Sequence, residues 1–175
     1  LAAIAPSRVL DVGCGEGWLC RALASHGIEA VGVDAQPALV DAARAAGGGR
    51  FEVRDYAALA SAPADLGRFD AIACNFALLD EDLLPLLRGL RAMAAPGGWL
   101  LIQTLHPGAA PETGWRVEAF AGFGDGFTAP MPWFLRDTAA WLELLREGGW
   151  QPGPVREPRP PGGGAPLSLL LAARA

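Results

Sequence analysis

The chain is expected to form a doubly wound α/β domain, a mostly parallel sheet with helices on both faces, and three observations predict it. Short apolar runs alternate with helical runs from residue 9 to residue 104. The first apolar run passes through a glycine-rich loop straight into a helix, in the stretch VLDVGCGEGWL. Asp11, Asp34 and Asp55 stand at or near the ends of three successive strand runs, and open parallel sheets bind ligands beyond the carboxyl ends of their strands.

Taken in order, Val9, Leu10 and Val12 make a buried strand that stops where Gly13 permits a turn closed to other residues. WLCRALASHG then carries apolar residues at helical spacing and ends at Gly27, suited to the left-handed position after a helix. His26 beside it places a cation-capable ring at a helix end and is assigned no chemistry. The pairs EAVGVD with PALVDAARAA, RFEVRD with the short YAALAS, and FDAIACNFA with DLLPLLRGLRAMA repeat the strand and helix rhythm, and GWLLIQT follows the turn PGG. Asp80, Glu81 and Asp82 are read as favourable negative charge at the start of the helix after them. Residues 103 to 135 hold Pro, Gly and isolated aromatics without a clear period. DTAAWLELLREGG is an amphipathic helix capped by Asp137, PRPPGGGAP a flexible connection too short to separate domains, and PLSLLLAARA a last strand.

Composition bounds the function. A chain of 175 residues, 51% hydrophobic, supports one domain with a full core and not two. A net charge of −5 with scattered arginines gives no basic stripe, so a nucleic-acid partner is not expected. Three cysteines without metal spacing suit a reducing, cytoplasmic setting, and no leader or membrane-spanning run is seen. The chain begins at Leu1 with few residues before the first strand, so a preceding segment is expected.

Glycines at a strand-to-helix turn let a ligand approach the backbone and the start of the helix. A dinucleotide fingerprint would require glycine at position 18, where this chain has Trp18. The pattern D-V-G-C-G-E-G instead resembles the first motif of class I S-adenosylmethionine-dependent methyltransferases. That resemblance covers nearly the whole chain and is stronger over residues 9–104. It implies a Rossmann-like, mostly parallel seven-stranded sheet with an antiparallel last strand. It implies one domain, residues 1–175, with a cofactor core at 9–104, a substrate lid at 105–136, and a C-terminal helix and strands at 137–175. S-adenosylmethionine is then the cofactor and S-adenosylhomocysteine the product.

By the same resemblance Asp11, Gly13 and Gly15 meet the cofactor. Asp34, followed by Ala35, accepts the ribose hydroxyls, although an Asp here could simply cap the next helix. Asp55 and Tyr56 lie near the adenine, and Asn75 near the methionine part and the acceptor. The run Asn75, Phe76, Ala77, Leu78 lacks the prolines of adenine- or amide-directed enzymes. Thr104, Leu105 and His106 stand where catechol enzymes carry metal ligands, so no metal is expected.

His106 follows the central strand, and its imidazole can take a proton from an attacking hydroxyl, or fix the turn before Pro107. Trp115, Phe120, Phe123, Phe127, Trp133 and Phe134 fall in the lid segment and could line an apolar acceptor pocket, Trp133 being the residue assigned to substrate. Arg116 and Arg136 could meet an acceptor carboxylate. The leading expectation is methyl transfer to a small molecule, oxygen preferred. An NAD-dependent oxidoreductase and a non-catalytic cofactor-binding regulatory subunit remain as alternatives.

Overall fold

The computed structural model describes residues 4–109, 112–118 and 130–175. Phe120, Phe123 and Phe127 lie outside the described residues.

Four strand and helix units and a fifth strand build the first part of the chain. They are β1 (Arg8–Val12), α1 (Trp18–Ala24), β2 (Glu29–Asp34), α2 (Pro37–Ala46), β3 (Arg50–Val53), α3 (Tyr56–Ser61), β4 (Phe69–Asn75), α4 (Leu84–Met93) and β5 (Ala94–Leu105). A hairpin of β6 (Gly114–Glu118) and β7 (Met131–Leu135) follows, then α5 (Thr138–Glu147), β8 (Gln151–Arg156) and β9 (Ser168–Arg174). The seven-stranded sheet runs β3-β2-β1-β4-β5-β9-β8, and β6 pairs with β7 in a separate two-stranded sheet. β9 is antiparallel to both β5 and β8, while β1 to β5 are mutually parallel. The expected Rossmann-like sheet with its antiparallel last strand is therefore present.

The apolar alternation decides the layers. Leu10, Val12, Val31, Val33, Ile72, Leu100 and Ile102 point to one face, where Leu59 of α3, Leu86, Leu87 and Leu90 of α4, and Trp141 and Leu145 of α5 bury them. Val9, Ala30 and Ala71 point to the other, beneath Cys20 and Leu23 of α1 and Val40 and Ala43 of α2. Strand order reverses between β1 and β4, so their carboxyl ends form the switch point at which such sheets bind ligands. No helix among the described residues is long and apolar enough to cross a membrane.

Two elements differ from the sequence reading. The segment after β5 contains the β6–β7 hairpin, whose Trp115 and Phe134 lie in register and touch edge to face at 5.6 Å. QPGPVR, which carries no strand pattern, forms the edge strand β8.

Candidate functional site

The glycine loop is held by its own amides. Gly13, Gly15 and Gly17 have φ of 72°, 53° and 77°, a region closed to most side chains. A side chain on Gly13 would also collide with Ala77 Cβ, so the loop after β1 lies directly against the segment after β4. Gly13 and Cys14 donate to Val33 O at 2.8 and 3.0 Å, Gly17 donates to Cys14 O at 2.9 Å, and Gly15 donates to Asp34 Oδ2 at 2.9 Å. These four amides are thus committed inside the chain and not offered to a phosphate. The space around Gly15 is open, so the loop can be approached closely there.

Asp34 accepts one N–H on each oxygen, from Gly15 on Oδ2 and from Gln36 on Oδ1 at 2.8 Å. A carboxylate has about four lone-pair sites, so one on each oxygen remains for a partner with two hydroxyls. The two roles foreseen for Asp34 are compatible, because its bond to Gln36 N shapes the entry to α2, whose N-cap is Gln36 itself.

Asp11 lies beneath the loop, 2% exposed, with Cys20 Sγ–H donating to its Oδ2 at 3.7 Å. Burial drives its pKa up from 3.8 to about 6, the Cys20 hydrogen bond opposes this, and the nearby Asp34 charge adds to it. Burial likewise lifts the Cys14 thiol to about 12, which leaves it protonated and inert.

Beside Asp34 opens a cavity of about 500 Å³ whose walls include Ala35, Asp55, Tyr56, Asp80 and Asp82. Asp55 caps α3, accepting from Ala58 N at 2.8 Å, and its strand-end position places it on the cavity wall. The Tyr56 hydroxyl donates to Ala77 O and accepts from Leu79 N at 3.3 Å, tying the cavity to the segment after β4. Burial pushes its pKa up to about 12. α4 begins at Leu84, and Asp82 Oδ1 accepts from Leu84 N at 3.3 Å, so an acid serves the start of that helix as expected; Asp80 and Asp82 also line the cavity.

Asn75 ends β4 on the opposite face, in a second groove of about 540 Å³ with Trp18, Gln103 and Arg156. The next residue, Phe76, holds φ of 52° and donates its N–H to Gln103 O at 2.8 Å. A left-handed aromatic residue is rare, and such strain concentrates at functional edges. No sequence pattern announced it.

His106 and Trp133 are not among the residues lining either cavity. His106 sits just past β5, with Nδ1 accepting from Gly108 N at 3.0 Å and Nε2 facing Glu157 Oε1 at 3.2 Å. Glu157 follows β8, so sequence position gave no sign of the pairing. Trp133 lies opposite Arg116 in the hairpin register, one strand position from the Trp115–Phe134 pair and therefore on the other face. Arg116 turns back on Trp115 O and Glu112 O, and is committed to the hairpin itself.

Arg136 is 6% exposed, lies over the rings of Phe134 and Trp141 at 4.8 and 5.1 Å, and donates through Nη2 to Asp80 O and Glu81 O. Its Nη1 has no hydrogen-bond partner among the described residues.

With this geometry in view, the comparisons decide the family. The family described as a methyltransferase domain matches residues 1–151. The chain belongs to that methyltransferase family. An S-adenosylmethionine-dependent methyltransferase from Mesorhizobium loti superposes with a TM-score of 0.74 at 25% identity, covering 99% of this chain and 95% of that one. One described as a putative enzyme of the same class, from Listeria monocytogenes, superposes with a TM-score of 0.77 at 18% identity, over 99% and 93% of the two chains, and shares the fold.

Among curated relatives, a ubiquinone biosynthesis O-methyltransferase of Xanthomonas campestris pv. campestris is 34% identical over 109 residues, 59% of this chain and 45% of its own length. Its counterpart from Leptothrix cholodnii is 30% identical over 105 residues, 57% of this chain and 44% of its own. The chain matches under half the length of these relatives.

Proposed function

We propose that this methyltransferase-family domain binds S-adenosylmethionine and transfers its methyl group to the oxygen of a small-molecule acceptor, releasing S-adenosylhomocysteine. The observation that carries the reading is Asp34, a carboxylate with one free acceptor site on each oxygen, set between the glycine loop and a cavity lined by Ala35, Asp55 and Tyr56. That arrangement suits a ribose diol with an adenine in the cavity. Asp11, Asp34, Asp55, Asp80 and Asp82 make this edge acidic, which suits a cationic ligand and opposes a pyrophosphate. With the loop amides already committed, a nicotinamide dinucleotide fits poorly.

When bound, S-adenosylmethionine supplies a methyl group already activated on a sulfonium. The chain's contribution is alignment and exclusion of water. Asp34 fixes the ribose, Asp55 and Tyr56 flank the adenine, and Gly13 and Gly15 admit the ligand to the loop. Asn75, at the carboxyl end of β4, is the residue placed toward the methionine part. The β6–β7 hairpin serves as the acceptor lid, with Trp133 on the face that meets the acceptor.

For the hydroxyl proton the candidate remains His106. Glu157 takes the Nε2–H, which leaves Nδ1 as the basic nitrogen once Gly108 N–H gives way to an acceptor hydroxyl. His106→Ala should then lower turnover by about 100-fold while leaving cofactor affinity within about twofold. Unchanged turnover would assign the ring to the turn after β5. Titration calorimetry of the intact chain tests the whole reading. S-adenosylhomocysteine should bind and NADH should not, and the reverse would overturn it. A hydroxyl-bearing small molecule as acceptor is supported by the relatives named ubiquinone biosynthesis O-methyltransferase.

A further inference from the structure

The hairpin and the cavity wall are joined through one short segment, Leu79 to Asp82. Phe134 N donates to Leu79 O at 2.7 Å, and Leu79 N donates in turn to the hydroxyl of Tyr56 on the cavity wall. Arg136, at the end of β7, holds Asp80 O and Glu81 O, while the side chains of Asp80 and Asp82 face the cavity. Trp115 of β6 closes the connection by donating from Nε1 to Glu81 Oε2 at 3.1 Å. Glu81 is not among the cavity-lining residues, so its carboxylate faces the hairpin while its neighbours face the ligand.

We propose that Trp115 and Glu81 form a clasp that couples the acceptor-side hairpin to the cofactor cavity, making them positioning residues for cofactor binding although neither touches that cavity. The inference rests on the functional reading above for its ligand, and on the hydrogen bonds alone for the coupling. Two segments held by Phe134, Arg136 and Trp115 move together, and closing one biases the other. Arg136 is buried. Trp115 is 50% exposed, so its bond to Glu81 is the one that opens without unfolding the core.

The experiment is a double-mutant cycle read by titration of the intact chain with S-adenosylhomocysteine. Trp115→Phe keeps a ring against Phe134 and removes only the donor. Glu81→Ala removes the acceptor, and Glu81→Gln retains an oxygen to receive the Trp115 N–H. Trp115→Phe and Glu81→Ala should each weaken binding by about 5-fold, the double variant should be no weaker than either, and Glu81→Gln should stay within about twofold of wild type.

Amide exchange of the ligand-free chain supplies a second readout. The Leu79 and Phe134 amides should exchange faster in Trp115→Phe, because both donate across the clasped segment. Wild-type affinity in the single variants, additive losses, or unchanged exchange at Leu79 would overturn the clasp. Absence of binding to the wild type, with exchange altered as expected, would overturn the ligand assignment and keep the coupling.

Discussion

Asp34→Ala should weaken cofactor binding by about 10-fold to 150-fold, the equivalent of losing charge-assisted hydrogen bonds of roughly 1.5 to 3 kcal/mol. The structure moves the expectation toward the upper end. On the proposed reading the carboxylate offers one acceptor site on each oxygen to the ligand, and it also restrains Gly15, whose N–H donates to Oδ2. On that reading its removal would take away the ribose contact and loosen the glycine loop. Folding should suffer less. Asp34 is only half-buried, and the Gly15 and Gln36 amides it releases can turn to water, so the loss of stability should be about 1 kcal/mol or below. Asp34→Asn keeps one oxygen for a backbone amide and removes the charge, and should fall between the two. Dissociation constants from calorimetry, with unfolding midpoints of the ligand-free proteins, separate these effects, since bound ligand raises the midpoint by itself. An early-melting variant that binds normally would take Asp34 out of the site.

The parts of the fold that could be read from the sequence are those in which a residue's role is local. β1, β2 and β4 show as apolar runs because most of their residues are buried between helices on each side. The caps at Asp55 and Asp137 are written three residues ahead of the amides they receive, Ala58 and Ala140. β8 escaped notice for the complementary reason. QPGPVR holds two prolines and a glycine, which only an edge strand tolerates, and its pairing with β9 is set by partners 14 to 23 residues away. The β6–β7 hairpin brings Trp115 opposite Phe134 only once the chain is folded back on itself. At the site, Asp34, Asp55 and Tyr56 follow from strand-end position. Glu157 behind His106 and Glu81 beneath Trp115 do not, because a long-range side-chain contact leaves no periodic trace. In the acidic trio at 80–82 the helix-start role is a local inference and holds for Asp82, which accepts from Leu84 N, whereas the place of Asp80 and Asp82 on a cavity wall leaves no local trace.

Asp11 gives a prediction in which stability and function move in opposite directions. Its carboxyl is held between Cys20 and the glycine loop at 2% exposure, and its pKa is raised from 3.8 to about 6. The sign of the linkage follows from proton counts. Below pH 3.8 both folded and unfolded chains carry the proton on Asp11, and the group makes no difference. Between 3.8 and about 6 the folded chain binds more protons than the unfolded, so stability falls as pH rises, and above about 6 the full penalty is present. The gap between the two values corresponds to about 3 kcal/mol. Asp11→Asn keeps an oxygen to accept from Cys20 and abolishes the buried charge. It should therefore stabilise the ligand-free protein by about 2 to 3 kcal/mol at pH 7.5 and leave it unchanged near pH 4, as read from denaturant midpoints across that range. A charge that the fold would be more stable without calls for a use, and the acidic edge supplies one. A buried negative charge under the loop favours a ligand bearing a sulfonium over one bearing a neutral thioether. Asp11→Asn should accordingly lower affinity for S-adenosylmethionine by more than it lowers affinity for S-adenosylhomocysteine. Equal losses for both would confine Asp11 to shaping the loop, and a variant less stable than wild type at pH 7.5 would show that its carboxylate is compensated in the fold by contacts stronger than the Cys20 hydrogen bond.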